Sequence, residues 1–281
     1  MTVAKMEPDR TSGSVDLLEE AARKAEAHIN RHGTAGLKGL LDALVAEHPS
    51  MALRHALAAE VANGSAGGKE EARRALDGFM TAVTMARLEA AARFSALVHQ
   101  YKWTSAAAYS RSGQVRDCLA SARAAGLKSV VLSEARPSCE GTLMAKELLG
   151  EGYEVVLTTD MALPGFLADV DVLVVGADAD IGVFFVNKTG TGALMREARL
   201  KSCLSVVLTL PQKRLSPEQL LSWRNLPMEK PKSLQRLPKG ISWKGFLFER
   251  VPWELANFAI GRRREDDKWP GSEAEEGAGR P

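Results

Sequence analysis

From Val15 to about Tyr101, apolar residues recur three and four positions apart. In DLLEEAARKAEAHI, Leu17, Leu18, Ala21, Ala25 and Ile29 form one stripe, and in LKGLLDALVAEH, Leu37, Leu40, Leu41, Leu44 and Val45 form another. That spacing is the period of an amphipathic helix. Pro49 and Ser50 open a third helix, and NGSAGG from Asn63 to Gly68 breaks the pattern before a long helix from Lys69 to His99. The N-terminal part is therefore expected to be all helical.

Beyond Tyr101 the period changes. Leu127 to Leu132, Tyr153 to Leu157, Val170 to Val175 and Leu204 to Leu210 are short β-branched runs, separated by helical stretches over Gln114 to Ala124, Thr142 to Leu149 and Ala193 to Lys201. Near-continuous apolar strands alternating with helices predict a parallel sheet covered on both faces. FLFERVPWELANFAIG adds a final buried strand and helical turn. The fold class is α/β, with an N-terminal helical domain followed by a doubly wound, Rossmann-like parallel sheet domain. The expected organisation is a disordered tail over 1–14, a helical domain over 15–101, the α/β domain over 102–262 and a disordered tail over 263–281.

Composition narrows the function. The 281 residues carry 37 basic and 35 acidic side chains, a net charge of +2, which argues against a nucleic-acid binder driven by bulk electrostatics. The stretch from Gln212 to Gly240 is locally basic; it is expected to be a solvated loop or a docking place for a protein partner. No apolar run is long enough for a membrane span or a secretory h-region, so a cytoplasmic protein is expected. Cys118, Cys139 and Cys203 lack CxxC spacing, so neither a disulfide framework nor a cysteine metal site is indicated. All 5 histidines precede residue 100, which leaves the sheet domain without one.

In an open parallel sheet, ligands sit beyond the carboxyl ends of the strands. The loop from Tyr109 to Gln114 offers Ser110, Ser112 and Gly113 at a helix start, an anion cradle or simply an N-cap. It is not GxGxxG, and the later Asn187-Lys188-Thr189-Gly190-Thr191-Gly192 loop is not a Walker A sequence, so no nucleotide cofactor is implied. That later loop is nonetheless rich in phosphate donors. Glu134 and Arg136 form an ion pair or a carboxylate clamp. Asp178 brings a carboxylate to the sheet mouth, and Lys213 a cation.

Read together, SEARPSCEG from Ser133 to Gly141, TTDMA ending at Ala162, VLVVGAD from Val172 to Asp178, VNKTGT ending at Thr191, and FERVPWEL resemble one superfamily. It contains the regulatory alpha, beta and delta subunits of translation initiation factor 2B and isomerases of methylthioribose 1-phosphate and ribose 1,5-bisphosphate. The resemblance implies a substrate pocket of Ser112, Gly113, Gln114, Asn187, Lys188 and Lys213, with Asp178 as one catalytic group. The isomerases' catalytic cysteine falls on Ser110, and a hydroxyl needs a neighbouring base to replace a thiol. Arg31 to Gly36 stands where the isomerases present an Arg-Gly-Ala loop to phosphate, and Arg54 is the nearest counterpart of a further arginine.

The expectation is a homodimeric, initiation factor 2B-like regulatory or ligand-sensing protein. It has a pocket for a small phosphorylated ligand and lacks full isomerase activity. The alternative is an aldose 1-phosphate to ketose phosphate isomerase. Neither reading calls for a metal or cofactor.

Overall fold

The computed structural model describes residues 13–223, 238 and 240–262. The tail over 263–281, most of the tail over 1–14, and the larger part of the basic stretch lie outside the described residues. Helix α1 (Ser14–His32), α2 (Leu37–Glu47), α3 (Ala52–Ser65) and α4 (Lys69–Tyr101) make up the N-terminal layer. All five apolar residues of the first stripe are buried, as are Leu37, Leu41 and Leu44 of the second, while Leu40 and Val45 are half-buried. Among the described residues, no helix is long and apolar enough to cross a membrane.

Arg54, 1% exposed, braces this layer from α3. Its Nε donates to Leu17 O at 3.2 Å, its Nη1 to Leu44 O at 2.9 Å and to Glu47 Oε2 at 3.1 Å, and Glu20 lies at 3.6 Å. A guanidinium so committed to α1 and α2 is structural and is not a phosphate ligand. The Arg31 to Gly36 turn is likewise remote. It follows the C-terminal end of α1, a 19-residue helix about 28 Å long, whereas the site described below touches the N-terminal end.

The chain continues through β1 (Ser105–Ala108), α5 (Gly113–Ala122), β2 (Ser129–Ser133), α6 (Gly141–Gly150), β3 (Glu154–Thr158), β4 (Val172–Gly176), β5 (Ala179–Asp180), β6 (Phe184–Lys188), α7 (Thr191–Leu200), β7 (Leu204–Leu208), α8 (Pro217–Ser222), β8 (Phe248–Pro252) and β9 (Phe258–Ile260). Six strands form a parallel sheet in the order β3-β2-β1-β4-β7-β9. Its central strand β1 reads SAAA and carries no β-branched signal. Ala106 and Ala108 enter the core on one face and Ala107 the core on the other. Small residues suit a strand covered by helices on both sides.

Two further features depart from the periodicity reading. FERVP and FAI are separate strands joined by a 3-10 turn at Trp253–Leu255, and β5, β6 and β8 make a small antiparallel sheet beside the main one. In it Asn187 pairs with Glu249. Helix α4 belongs to both layers: Leu76, Phe79 and Val83 pack with α1 to α3, whereas Ala90, Phe94 and Val98 pack against the sheet.

Candidate functional site at the strand switch point

The chain runs outward from β1 through β2 to β3, then returns to the other side of β1 with β4, β7 and β9. The topological switch point therefore lies between the carboxyl ends of β1 and β4, where open α/β sheets form their crevice. Ser110 and Ser112 follow β1, and Asp178 follows β4. Three of the five non-glycine residues with positive φ among the described residues, Ser110 (67°), Ala135 (60°) and Cys139 (56°), lie on this edge. Such backbone gathers at functional sites because the surrounding packing must hold it.

Ser112 caps α5 by accepting from Val115 N at 3.4 Å, and Gly176 makes room for it: a Cβ there would stand 3.0 Å from the Ser112 hydroxyl. Gln114, buried, donates to Thr209 O after β7. Lys213, 1% exposed, sits on the 3-10 turn Pro211–Lys213 and donates to Ala177 O at 2.6 Å, the residue before Asp178. Burial pushes its ammonium down to about 8, and the charge of Asp178 opposes the shift only in part. Asp178 is half-buried. Burial raises its carboxyl above the ordinary range against the pull of Lys213, Lys188 and a hydrogen bond from Ser14.

On the other side of the crevice Lys188 is ion-paired with Glu140, the N-cap residue of α6, and both are buried. Glu140 Oε1 also accepts from Ser110 Oγ at 2.9 Å, while Oε2 is buried without a partner. Gln114 Oε1, Ser133 Oγ, Thr209 Oγ1 and Gln212 Oε1 are likewise buried and unpartnered. Buried polar atoms ordinarily find partners, and five of the seven unpartnered ones among the described residues stand along this sheet edge, Ser50 Oγ and Arg54 Nη2 being the other two.

The edge thus collects Ser110, Ser112, Gly113, Gln114, Asp178, Lys188 and Lys213. Asn187 is nearby but turned to the local fold: its Nδ2 donates to Thr191 Oγ1 at 2.9 Å. The expected phosphate cradle at Asn187 to Gly192 is already filled. Glu249 Oε1 from β8 accepts from Gly190 N and Gly192 N, both at 2.9 Å, placing a carboxylate on the α7 N-terminus. Asp160 does the same for the turn after β2, accepting from Ala135 N and Arg136 N at 2.8 Å. Arg136 is 65% exposed and pairs with Glu134 at 3.0 Å, so this pair is a surface brace. Within the basic stretch, Lys213 is buried and Arg214 pairs with Asp180 at 2.7 Å; neither belongs to a solvated face. Cys118 is fully buried and its thiol is pushed well up, as expected of a small core residue.

Two residues escaped the sequence reading. Glu140 lies inside the SCEG segment but gives no sign there that it faces Ser110. Ser14 falls within the expected tail, yet it begins α1, is 6% exposed and hydrogen-bonds Asp178. A Cβ on Gly13 would stand 3.2 Å from Gly113 N, so the starts of α1 and α5 meet over the crevice. Arg111 fastens them, donating to Asp16 at 2.8 Å and Glu147 at 2.9 Å. The helical layer thereby forms one wall of the site.

The chain is similar to several known proteins. A ribose 1,5-bisphosphate isomerase from Methanocaldococcus jannaschii is 41% identical over 66 residues, which is 23% of this chain and 21% of that protein. The chain therefore spans about a fifth of the length of this curated relative. Two solved structures share the fold. The translation initiation factor eIF-2B of Pyrococcus horikoshii OT3 superposes with a TM-score of 0.73 at 20% identity, covering 91% of this chain and 92% of that one. The 5-methylthioribose 1-phosphate isomerase of the same organism gives 0.68 at 17% identity, covering 94% and 82%. The sequence profile of the Initiation factor 2 subunit family matches residues 14–207, well over half the chain, and on that match the protein belongs to the Initiation factor 2 subunit family.

Proposed function

We propose that the crevice between β1 and β4 binds a small phosphorylated sugar and that the chain acts in the cytoplasm as a ligand-sensing regulatory protein of the initiation factor 2B type. The observation that carries this reading is Lys213, almost wholly buried beside Asp178, with Lys188 across the crevice. Burying an ammonium is costly unless opposite charge offsets it, a need that Asp178 meets only in part. A phosphate dianion meets that need, and the orphaned acceptors and hydroxyls around it suit the hydroxyls of a sugar. Ser112, Gly113 and Gln114 would hold the ligand from the α5 side. Ser14 would carry its presence to the helical layer.

A second reading, aldose 1-phosphate to ketose phosphate isomerase, is favoured by one contact. Ser110 has a carboxylate, Glu140, within hydrogen-bond reach and so does not lack a neighbouring base. For partners we propose a second copy of this chain. Val156 is 49% exposed, Leu157 45% and Met161 89%, and together they leave apolar surface along and just after the open edge strand β3.

Calorimetric titration with ribose 1,5-bisphosphate tests the reading through Lys213. At about pH 7 the ammonium is charged and binding is expected. The phosphates are dianionic well above their second pKa of about 6, so above about pH 8 the titrating group is Lys213, which must take up a proton for the ligand to bind. Affinity should then fall by up to about tenfold per pH unit, with a binding heat that depends on the buffer's ionisation enthalpy. The unliganded chain should move oppositely. A lysine that titrates at about 8 when folded and at 10.5 when unfolded leaves the unfolded state with more protons across that window, so this group's contribution to stability rises with pH there. Affinity unchanged between about pH 7 and about pH 9 would count against Lys213 as the ligand's cation.

A further inference from the structure

We infer that Glu140 is a proton-transfer group of this crevice, acting together with the Ser110 hydroxyl and opposite Asp178. The inference rests on the sugar-phosphate pocket proposed above and goes beyond ligand sensing to chemistry.

The geometry around Glu140 is that of a group held ready for a ligand. It is 5% exposed and fixed at the start of α6. One carboxylate oxygen is saturated by Ser110 Oγ and by Lys188 Nζ. The other, Oε2, is buried with no protein partner. Leaving a carboxylate oxygen buried and bare is destabilising. Packing does not require it, because Lys188 and Ser110 are satisfied through Oε1 alone. A sugar hydroxyl donating to Oε2 would complete the set.

Ser110 fits the same account. A serine hydroxyl by itself is no base near neutral pH, and the sheet domain supplies no histidine to activate it. The carboxylate 2.9 Å away supplies what is missing. Ser110 is held at a φ of 67°, a conformation that favours glycine, which fixes its place at the crevice floor.

The reaction balances with two carboxyl groups and no outside reagent. The reacting form carries a proton on Asp178, a form that burial of the carboxyl favours, and Asp178 gives it to the ring oxygen as the bond between that oxygen and C1 breaks. The hydrogen on C2 moves with its electron pair to C1, which becomes the methylene bearing the phosphate. The C2 hydroxyl becomes the carbonyl and yields its proton to Glu140, directly or through Ser110. C1 is reduced and C2 oxidised within one molecule, and the proton lost at one carboxyl is gained at the other.

The test combines a coupled isomerase assay with substrate-induced thermal stabilisation, using ribose 1,5-bisphosphate and methylthioribose 1-phosphate as probes on the full chain. Wild type is expected to turn over one of them slowly. Glu140→Gln should lose about hundredfold or more in kcat, the scale of a positioned proton-transfer group, while the substrate still raises its melting temperature with KM little changed. Ser110→Ala removes only a hydroxyl and serves as the second arm if Glu140→Gln melts far below wild type; its turnover should fall with stabilisation kept. Turnover unchanged in either folded variant would overturn the inference. Stabilisation of wild type without any turnover would overturn it and leave the sensing reading standing. Neither stabilisation nor turnover with either probe would overturn both.

Discussion

Gly141→Ala is expected to cost more than about 4 kcal/mol and to leave little folded protein at 37 °C. A Cβ on Gly141 would stand 1.8 Å from the carbonyl oxygen of Ser133 and 2.9 Å from its carbon. Both are backbone atoms at the end of β2, a strand paired on both sides, so no side chain is free to swing away. Relief requires α6 to retreat from the sheet, which breaks the Gly141 N to Glu134 O hydrogen bond at 3.1 Å and displaces Glu140 from Ser110. Urea unfolding of the purified variant measures the loss. A cost below about 1 kcal/mol would mean that the approach of α6 to β2 is looser than described.

Lys188→Met is expected to lose about 3–5 kcal/mol, because it leaves the buried Glu140 carboxylate without its cation. The double variant Lys188→Met with Glu140→Gln should recover most of that loss. A buried ion pair replaced as a whole is commonly neutral or stabilising, whereas a pair cut in half is not. The double-mutant cycle therefore separates two explanations of the same contact. If the pair exists for stability, the double variant stays as weak as the single. If it exists for a ligand, the double variant folds well and binds no sugar phosphate. Denaturant melts of the four proteins in the cycle, each with and without ribose 1,5-bisphosphate, read both quantities.

Much of the fold is visible in the residue pattern because burial is one-sided or continuous where it matters. The α1 stripe of Leu17, Leu18, Ala21, Ala25 and Ile29 is buried as its spacing requires, and the strands around Val130, Val174 and Val206 are covered on both faces. β1 escapes because Ala-Ala-Ala has no strand character of its own; only its position between β2 and β4 makes it one. The antiparallel trio escapes because the pairing of β6 with β8 joins residues about 60 positions apart, and no local period carries that information.

The site divides in the same way. Residues at strand ends, Ser110, Asp178 and Lys213, are recognisable because an open parallel sheet gathers its loops at one edge. What those loops do to one another is not local. The α7 N-terminus at Gly190 and Gly192 looks like an anion cradle until Glu249 arrives from β8 to fill it. Asn187 looks like a ligand donor until Thr191 takes its amide. Glu140 and Ser14 look like a helix start and a tail, yet tertiary packing brings one to Ser110 and the other to Asp178.

The central claim is that the buried cations at the switch point serve a phosphorylated ligand, and thermal unfolding with and without ribose 1,5-bisphosphate tests it most directly. At a ligand concentration of about a hundred times its dissociation constant, wild type should gain about 2.7 kcal/mol, seen as a rise in Tm of several degrees. Lys213→Met, which removes the buried ammonium at little change in volume, should fold and show no rise. No rise in the wild type, or an equal rise in Lys213→Met, would contradict the account.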